Sequence, residues 1–167
     1  MSELPRFRPD LLLGALLDGG VRFVIVGGLA AQAHGSPSLT GDLDICHAID
    51  RDNLDRLAAV LGELAAVRRG SPDVVRAPLD RRALRAADVV TLTTRHGDLD
   101  LLAHPDPGLD FGQLAQRALT TEIMGWVVLV ASLDDLVAMK RAAGRPKDLI
   151  ELEVLGALRE EIDRRPG

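Results

Sequence analysis

The spacing of apolar and polar positions along the chain predicts a series of helices. The clearest is residues 50–67, where leucine and valine recur every three or four positions and Asp50 or Asp52 is placed to cap the first turn. Glycine and proline mark helix boundaries elsewhere, as at Gly19-Gly20 and Pro146. The predicted helices cover residues 9–18, 29–34, 50–67, 111–118, 132–144 and 145–165.

Runs of β-prone residues between these helices predict strands. Residues 22–28 form a buried strand that enters a glycine turn, and residues 42–48 and 126–131 form two more strands. Residues 88–104 are typical of a hairpin, with two β-prone runs around Arg95-His96-Gly97. Residues 70–87 have weak periodicity, and we expect a loop with room for one helical turn. The order of elements predicts a mixed α/β domain with helices at its C-terminal end.

Composition narrows the class of protein. A length of 167 residues suits one domain, and 47% apolar residues with few aromatics predict a core of leucine, valine, isoleucine and alanine. The net charge of −5 gives no support for broad electrostatic binding of nucleic acid. The single cysteine, Cys46, cannot form an internal disulfide. The apolar run near the N-terminus is too short to span a membrane and is preceded by Asp10, so we expect a cytoplasmic protein without membrane attachment.

Two pairs of aspartates interrupt strands that are otherwise apolar. Asp42 and Asp44 point to the same face of one strand, and Asp98 and Asp100 repeat the arrangement in the hairpin. Carboxylates this close repel one another unless a cation lies between them. If the two strands are neighbours, one of the second pair becomes a third carboxylate, and three carboxylates suit Mg²⁺ or Mn²⁺ in phosphoryl transfer.

A glycine pair gives the aspartates their context. An acidic pair alone is more often a solvated face, and Gly27-Gly28 alone is more often a tight turn. Gly27 and Gly28 nevertheless follow a buried strand and precede a helix, so their amides could approach a phosphate group. The combination favours a site for a metal and a phosphate.

These motifs resemble a known family. "VGG" at residues 26–28, "TGDLDI" at 40–45 and "GDLDLL" at 97–102 resemble the nucleotidyltransferase superfamily related to DNA polymerase β. The segment "SLDDLVAMKRAAGRPKDLIEL" at 132–152 is similar to the tail of small bacterial members, including the AbiEii-type toxins. The resemblance implies an α/β fold with a mixed sheet flanked by helices. It also implies a nucleotidyltransferase core over residues 1–131 and a helical extension over residues 132–167 packed on the same domain.

The resemblance also assigns roles by position. Gly27 and Gly28 would contact a nucleoside triphosphate, together with Thr40. Lys140 would reach the triphosphate, although an exposed helical lysine is an equal alternative. The implied metal-binding and catalytic carboxylates are Asp42, Asp44 and Asp100, with Asp98 as the competitor of Asp100. Residues 145–148 are expected to form an ion cluster at a helix start.

Two positions depart from the family pattern. Many members have serine at the position of Gly28, and many have arginine two residues before Thr40, where this chain has Ser38. Elsewhere, we expect His34 to be a helix-terminal residue rather than a substrate contact, and Trp126 to pack rather than stack on a base. The arginines expected to lie on solvated surface, with an RNA path as the alternative, are at positions 68, 69, 76, 81, 82 and 85.

The sequence therefore predicts a Mg²⁺-dependent enzyme that transfers a nucleoside monophosphate from a nucleoside triphosphate to an acceptor hydroxyl. The C-terminal resemblance favours a toxin-like enzyme with an RNA or protein acceptor and an antitoxin partner. An aminoglycoside-type adenylyltransferase is one alternative. A non-catalytic antitoxin or regulatory module of the same fold is another.

Overall fold

One mixed β-sheet organises the chain. The computed structural model describes residues 6–70, 77–106 and 108–165, and in these residues the sheet has seven strands. The strands are β1 (Phe23–Val26), β2 (Asp42–His47), β3 (Val67–Arg68), β4 (Val89–Thr94), β5 (Gly97–Leu102), β6 (Leu119–Ile123) and β7 (Trp126–Val130). Their order across the sheet is β3-β4-β5-β2-β1-β7-β6, which makes β2 the central strand.

Helices flank this sheet and connect its strands. They are α1 (Pro9–Asp18), α2 (Gly27–Ala33), α3 (Arg51–Glu63), α4 (Arg81–Ala86), α5 (Phe111–Arg117), α6 (Leu133–Ala143) and α7 (Pro146–Arg164). Side chains cap several of them: Asp50, one of the two predicted candidates, accepts a hydrogen bond at the start of α3, and Ser132 does so at the start of α6. The predicted α/β fold with helices at the C-terminal end is confirmed.

The central strand β2 pairs with two different neighbours. It runs antiparallel to β1 and parallel to β5. Because successive residues of a strand face opposite sides, Leu43 and Ile45 are fully buried on one face while Asp42 and Asp44 lie on the other. The leucines of β5 alternate with its aspartates in the same way. Because β2 pairs with β5, the two acidic strands are adjacent, which is the condition for a third carboxylate to join Asp42 and Asp44.

Helices near both ends of the chain, α1 and α7, pack against the rest of the domain. The Trp126 ring at the start of β7 lies against Gly14 of α1, and its indole N–H donates to the Asp10 carbonyl over 3.1 Å. Trp126 therefore packs, as predicted. On α7, Leu155 is buried within the same apolar core as Leu136 of α6.

The predicted helix over 50–67 is wrong at its C-terminal end. Helix α3 ends at Glu63, and Ala65 has a φ of 51°, a left-handed conformation that stops an α-helix. The chain then continues as β3, which pairs with β4. The helical spacing of apolar residues up to Val67 could not distinguish the end of a helix from a short strand.

The sheet also has an edge that the sequence analysis did not include. Strand β6 pairs with β7 through a two-residue turn in which Met124 and Gly125 both have positive φ. Because β6 is an edge strand and largely exposed, it has no buried apolar face to mark it in the sequence.

Smaller differences concern boundaries. Gly27 and Gly28 belong to the first turn of α2 rather than to the preceding strand. Part of the segment expected to be a loop forms α4, which Asp80 caps, whereas residues 71–76 lie outside the described residues. Across the described ranges, no helix combines the length and the apolar character needed to cross a lipid bilayer.

Candidate functional site

Three carboxylates meet where β2 and β5 lie side by side. The parallel register places Asp44 opposite Asp100 and Asp42 opposite Asp98. One oxygen from each of Asp42, Asp44 and Asp100 lies within 4.8 Å of the others. The structure thus brings together the three aspartates that the sequence nominated as metal ligands.

Asp98 has other partners. One of its carboxylate oxygens accepts a hydrogen bond from the Thr93 hydroxyl at 3.1 Å, and the other lies 3.4 Å from Nε of Arg69. It shares the strand face with Asp100 but lies two residues earlier in β5, opposite Asp42. The geometry therefore favours Asp100 over Asp98 as the third carboxylate.

Burial and crowding disfavour negative charge at the centre of this cluster. Burial, reinforced by the charges of Asp42 and Asp100, raises the pKa of Asp44 to about 7. Burial likewise raises the pKa of Asp100, against the opposing effect of the Arg69 guanidinium. A cation between the carboxylates would relieve this repulsion, so the electrostatics of the cluster fit a metal site.

Gly27 is required by its contact with this cluster. Its φ is 70°, and a Cβ atom at this position would lie 2.0 Å from Oδ2 of Asp44. Only glycine allows the backbone at the start of α2 to come this close to the carboxylate. The same turn therefore presents the first amides of α2 beside Asp44.

The absence of serine at position 28 has a steric explanation. A Cβ atom on Gly28 would lie 2.7 Å from both Cβ and Oγ1 of Thr40. The Thr40 hydroxyl in turn donates to Oδ1 of Asp42 over 3.0 Å. Thr40 therefore occupies the space that a larger residue 28 would need, and its own hydroxyl lies beside the first carboxylate.

Lys140 of α6 is held close to the cluster by acidic residues of α7. Its ammonium group lies 3.3 Å from Asp148 and also pairs with Glu151. Asp148 has no exposed side-chain surface and is held in addition by the side chain and backbone N–H of Arg145. The Arg145 guanidinium lowers the pKa of Asp148 to about 2. The expected ion cluster at a helix start is thus present, and it also fixes Lys140.

A cavity of about 340 Å³ collects these groups. All seven residues that the sequence nominated as binding or catalytic line it. The lining residues are Gly27, Gly28, Ala31, Ser36, Ser38, Leu39, Thr40, Gly41, Asp42, Asp44, Asp100, Leu136, Lys140, Arg145, Lys147, Glu151, Val154 and Leu155.

Other nominated residues have structural roles. The His34 ring, at the end of α2, is hydrogen-bonded to the Ala131 carbonyl over 2.9 Å, and Cys46 is fully buried in the core. Arg69, expected on solvated surface, contacts the carboxylates of β5 instead. The strand that places it, β3, has only two residues and no periodic signal in the sequence. Glu151 was not predicted either, because the period of a long amphipathic helix does not single it out.

The mixed sheet with acidic residues on its central pair of strands is the nucleotidyltransferase fold. The lincosamide antibiotic adenylyltransferase LnuA, solved with lincomycin bound, superimposes with a TM-score of 0.60 at 13% identity, over 92% of this chain and 99% of that chain. ANT(2'')-Ia in complex with adenylyl-2''-tobramycin gives a TM-score of 0.54 at 17% identity, over 92% of this chain and 96% of that chain. A solution structure of the antibiotic-resistance factor ANT(2'')-Ia gives 0.55 at 15% identity, over 93% and 89% of the two chains.

These likenesses establish the fold. No protein-family model matches the sequence, and no curated protein does.

Proposed function

We propose that the protein is a metal-dependent nucleotidyltransferase that moves a nucleoside monophosphate from a nucleoside triphosphate to an acceptor hydroxyl and releases pyrophosphate. The observation that carries the proposal is the convergence of three carboxylates and the Gly27-Gly28 turn on one cavity. The fold shared with two adenylyltransferases supports the same reaction class.

The carboxylates fit Mg²⁺ or Mn²⁺. Asp42, Asp44 and Asp100 supply the hard oxygen ligands that these ions prefer, and repulsion among them falls when a cation is present. Bound there, such an ion would polarise the phosphate oxygens and offset the charge that develops on them.

The protein's own groups would divide the remaining work. The amides at the start of α2 would bind phosphate oxygens, which Gly27 allows because it has no Cβ. Lys140 would offset the negative charge of the triphosphate from its position on Asp148 and Glu151. Asp100, whose pKa is raised, would accept the proton of the attacking hydroxyl group.

For the acceptor we propose a small molecule that carries a hydroxyl group. Two proteins of this fold are described with lincomycin and with adenylylated tobramycin, both small molecules. The net charge of −5 also suits a cationic acceptor. An RNA or protein acceptor and an antitoxin partner rest on the C-terminal resemblance to AbiEii-type toxins and stay predictions.

Calorimetric titration tests the first half of the proposal. Wild-type protein, Asp44→Ala and Asp88→Ala should be titrated with each nucleoside triphosphate, with and without Mg²⁺. Binding should require Mg²⁺ and be lost in Asp44→Ala, whereas Asp88→Ala, which removes an exposed carboxylate outside the cavity, should bind like wild type. Equal binding by wild type and Asp44→Ala would overturn the metal site.

A nucleotidyl-transfer assay tests the second half of the proposal. Incubation with the preferred α-³²P-labelled triphosphate and separate panels of aminoglycosides, lincosamides, RNA and protein should label one class of acceptor. Label on RNA or protein alone would replace the small-molecule acceptor by the toxin-like one. Binding with no transfer to any panel would favour the non-catalytic module.

A further inference from the structure

Arg69 lies directly against the third carboxylate. Its backbone N–H donates to the Thr91 carbonyl over 2.9 Å and so extends the pairing of β3 with β4. Its Nη2 then donates to Oδ1 of Asp100 over 2.7 Å and to the Leu92 carbonyl over 2.8 Å. Because the guanidinium is tied to the backbone of β4 as well as to Asp100, it is held in a fixed position.

The same guanidinium also engages Asp98. Its Nε lies 3.4 Å from Oδ2 of Asp98, whose other oxygen accepts from Thr93. Arg69 therefore bridges both carboxylates of β5. Its shorter contact is with Asp100, the member of the three-carboxylate cluster.

The fixed charge of Arg69 opposes a divalent cation in the cluster. Three carboxylates alone would attract such an ion strongly, but Arg69 pairs with one of them and Lys140 also lines the cavity. Even with the full screening of bulk water, a unit positive charge about 5 Å from a divalent ion lowers the ion's affinity by about tenfold. The arginine thus weakens the site for a free metal ion.

We propose that Arg69 keeps the three-carboxylate site weak for free divalent cations, so that metal is loaded together with the triphosphate. This inference rests on the proposed function. The phosphates supply the negative charge that offsets Arg69, and the ion then gains ligands from the nucleotide as well as from Asp42, Asp44 and Asp100. Arg69 acts through Asp100 and is a positioning residue.

Metal binding without nucleotide tests the inference directly. Free Mn²⁺ should be measured by electron paramagnetic resonance as each protein is titrated at low ionic strength. Arg69→Gln should bind Mn²⁺ about tenfold more tightly than wild type. Arg69→Lys keeps the charge and should stay within about threefold of wild type.

Further variants separate the effect of the Arg69 charge beside Asp100 from other effects on metal binding. Arg68→Gln removes the same charge from the neighbouring residue of β3, whose side chain points to the other side of the strand, and should change Mn²⁺ affinity by less than about threefold. Asp44→Asn should abolish binding. Thermal melting confirms that each variant is folded, and Arg69→Met serves as the uncharged variant if Arg69→Gln does not fold.

The outcomes distinguish the inference from the function on which it rests. Mn²⁺ binding that depends on Asp44, with Arg69→Gln equal to or weaker than wild type, overturns the role of Arg69 and leaves the nucleotidyltransferase proposal intact. An equally large gain in Arg69→Lys also overturns it, because charge would not be the cause. Failure of wild type to bind Mn²⁺ in the presence of nucleotide overturns both.

Discussion

At the scale of single residues, the candidate site depends on positions where only one side chain is compatible with the backbone. Gly27 is the strongest case. Its positive φ and its approach to Asp44 arise from one requirement, which is that the start of α2 must reach the carboxylate cluster. A family pattern names this glycine, and the structure gives the physical reason for it.

Replacing Gly27 by alanine should therefore damage the site more than the fold. We expect a loss of stability of about 1–2 kcal/mol from the left-handed backbone, and at least about tenfold weaker binding of Mg²⁺ with triphosphate as Asp44 is displaced. Urea denaturation and calorimetry measure the two effects. Gly62→Ala on α3 is the control, because a Cβ there has open space, no positive φ and no place in the cavity lining. Equal binding by both variants would contradict the role given to Gly27.

At the scale of elements, the junction of α6 and α7 places Lys140 and its acidic partners at the cavity. The ion pairs there differ in burial. The Asp148 side chain is buried, although its partners Lys140 and Arg145 reach solvent, whereas Asp134 of α6 and Arg159 of α7 are both exposed. Charged hydrogen bonds to a buried carboxylate contribute more to stability than an ion pair between two exposed side chains.

Asp148→Ala should therefore destabilise the protein by about 2 kcal/mol, and Asp134→Ala by less than about 1 kcal/mol. Asp148→Ala should also weaken triphosphate binding, since Lys140 loses a partner that fixes it. Urea denaturation at pH 7 and titration with the preferred triphosphate measure the two variants. A smaller loss in Asp148→Ala than in Asp134→Ala would show that the buried cluster does not hold the two helices together.

The elements with a buried apolar face were predictable from sequence, and those without one were not. The alternation of β2 and β5 identified both acidic strands and the face on which the aspartates lie. Strand β3 has two residues and β6 is an exposed edge, so neither has a periodic signal. The nominated residues converged on one cavity because short motifs on central strands fix their register. Arg69 was out of reach because its position depends on β3.

At the scale of the whole molecule, two buried groups make stability depend on pH in opposite directions. Burial lowers the pKa of His47 to about 4, so its contribution is present above about pH 6.5 and is lost as the pH falls through 4. The pKa of Asp44 is raised to about 7, so its contribution is present below about pH 3.8 and is lost as the pH rises through 7. Their windows overlap between about pH 4 and 6.5.

The metal-free protein should therefore change little in stability between pH 5 and 7. A variant that lacks one of the two groups should show the pH dependence of the group that remains. We expect Asp44→Asn to gain about 2 kcal/mol from pH 5 to 7, and His47→Leu to lose about 2 kcal/mol over the same interval. Urea denaturation in EDTA at the two pH values measures both. Parallel profiles for the two variants would rule out this pairing of opposed groups.

The contact between Trp126 and Gly14 decides what fluorescence can report about this protein. The chain has one tryptophan and no tyrosine, so its emission comes almost entirely from a ring packed on α1. Val130 lies beside Ile25 at the end of the sheet that leads to Gly27, and Trp126 is four residues earlier, about 13 Å away along β7. Intrinsic emission will thus follow the undocking of α1 during denaturation, and a quenching signal for nucleotide will need a probe introduced near the cavity.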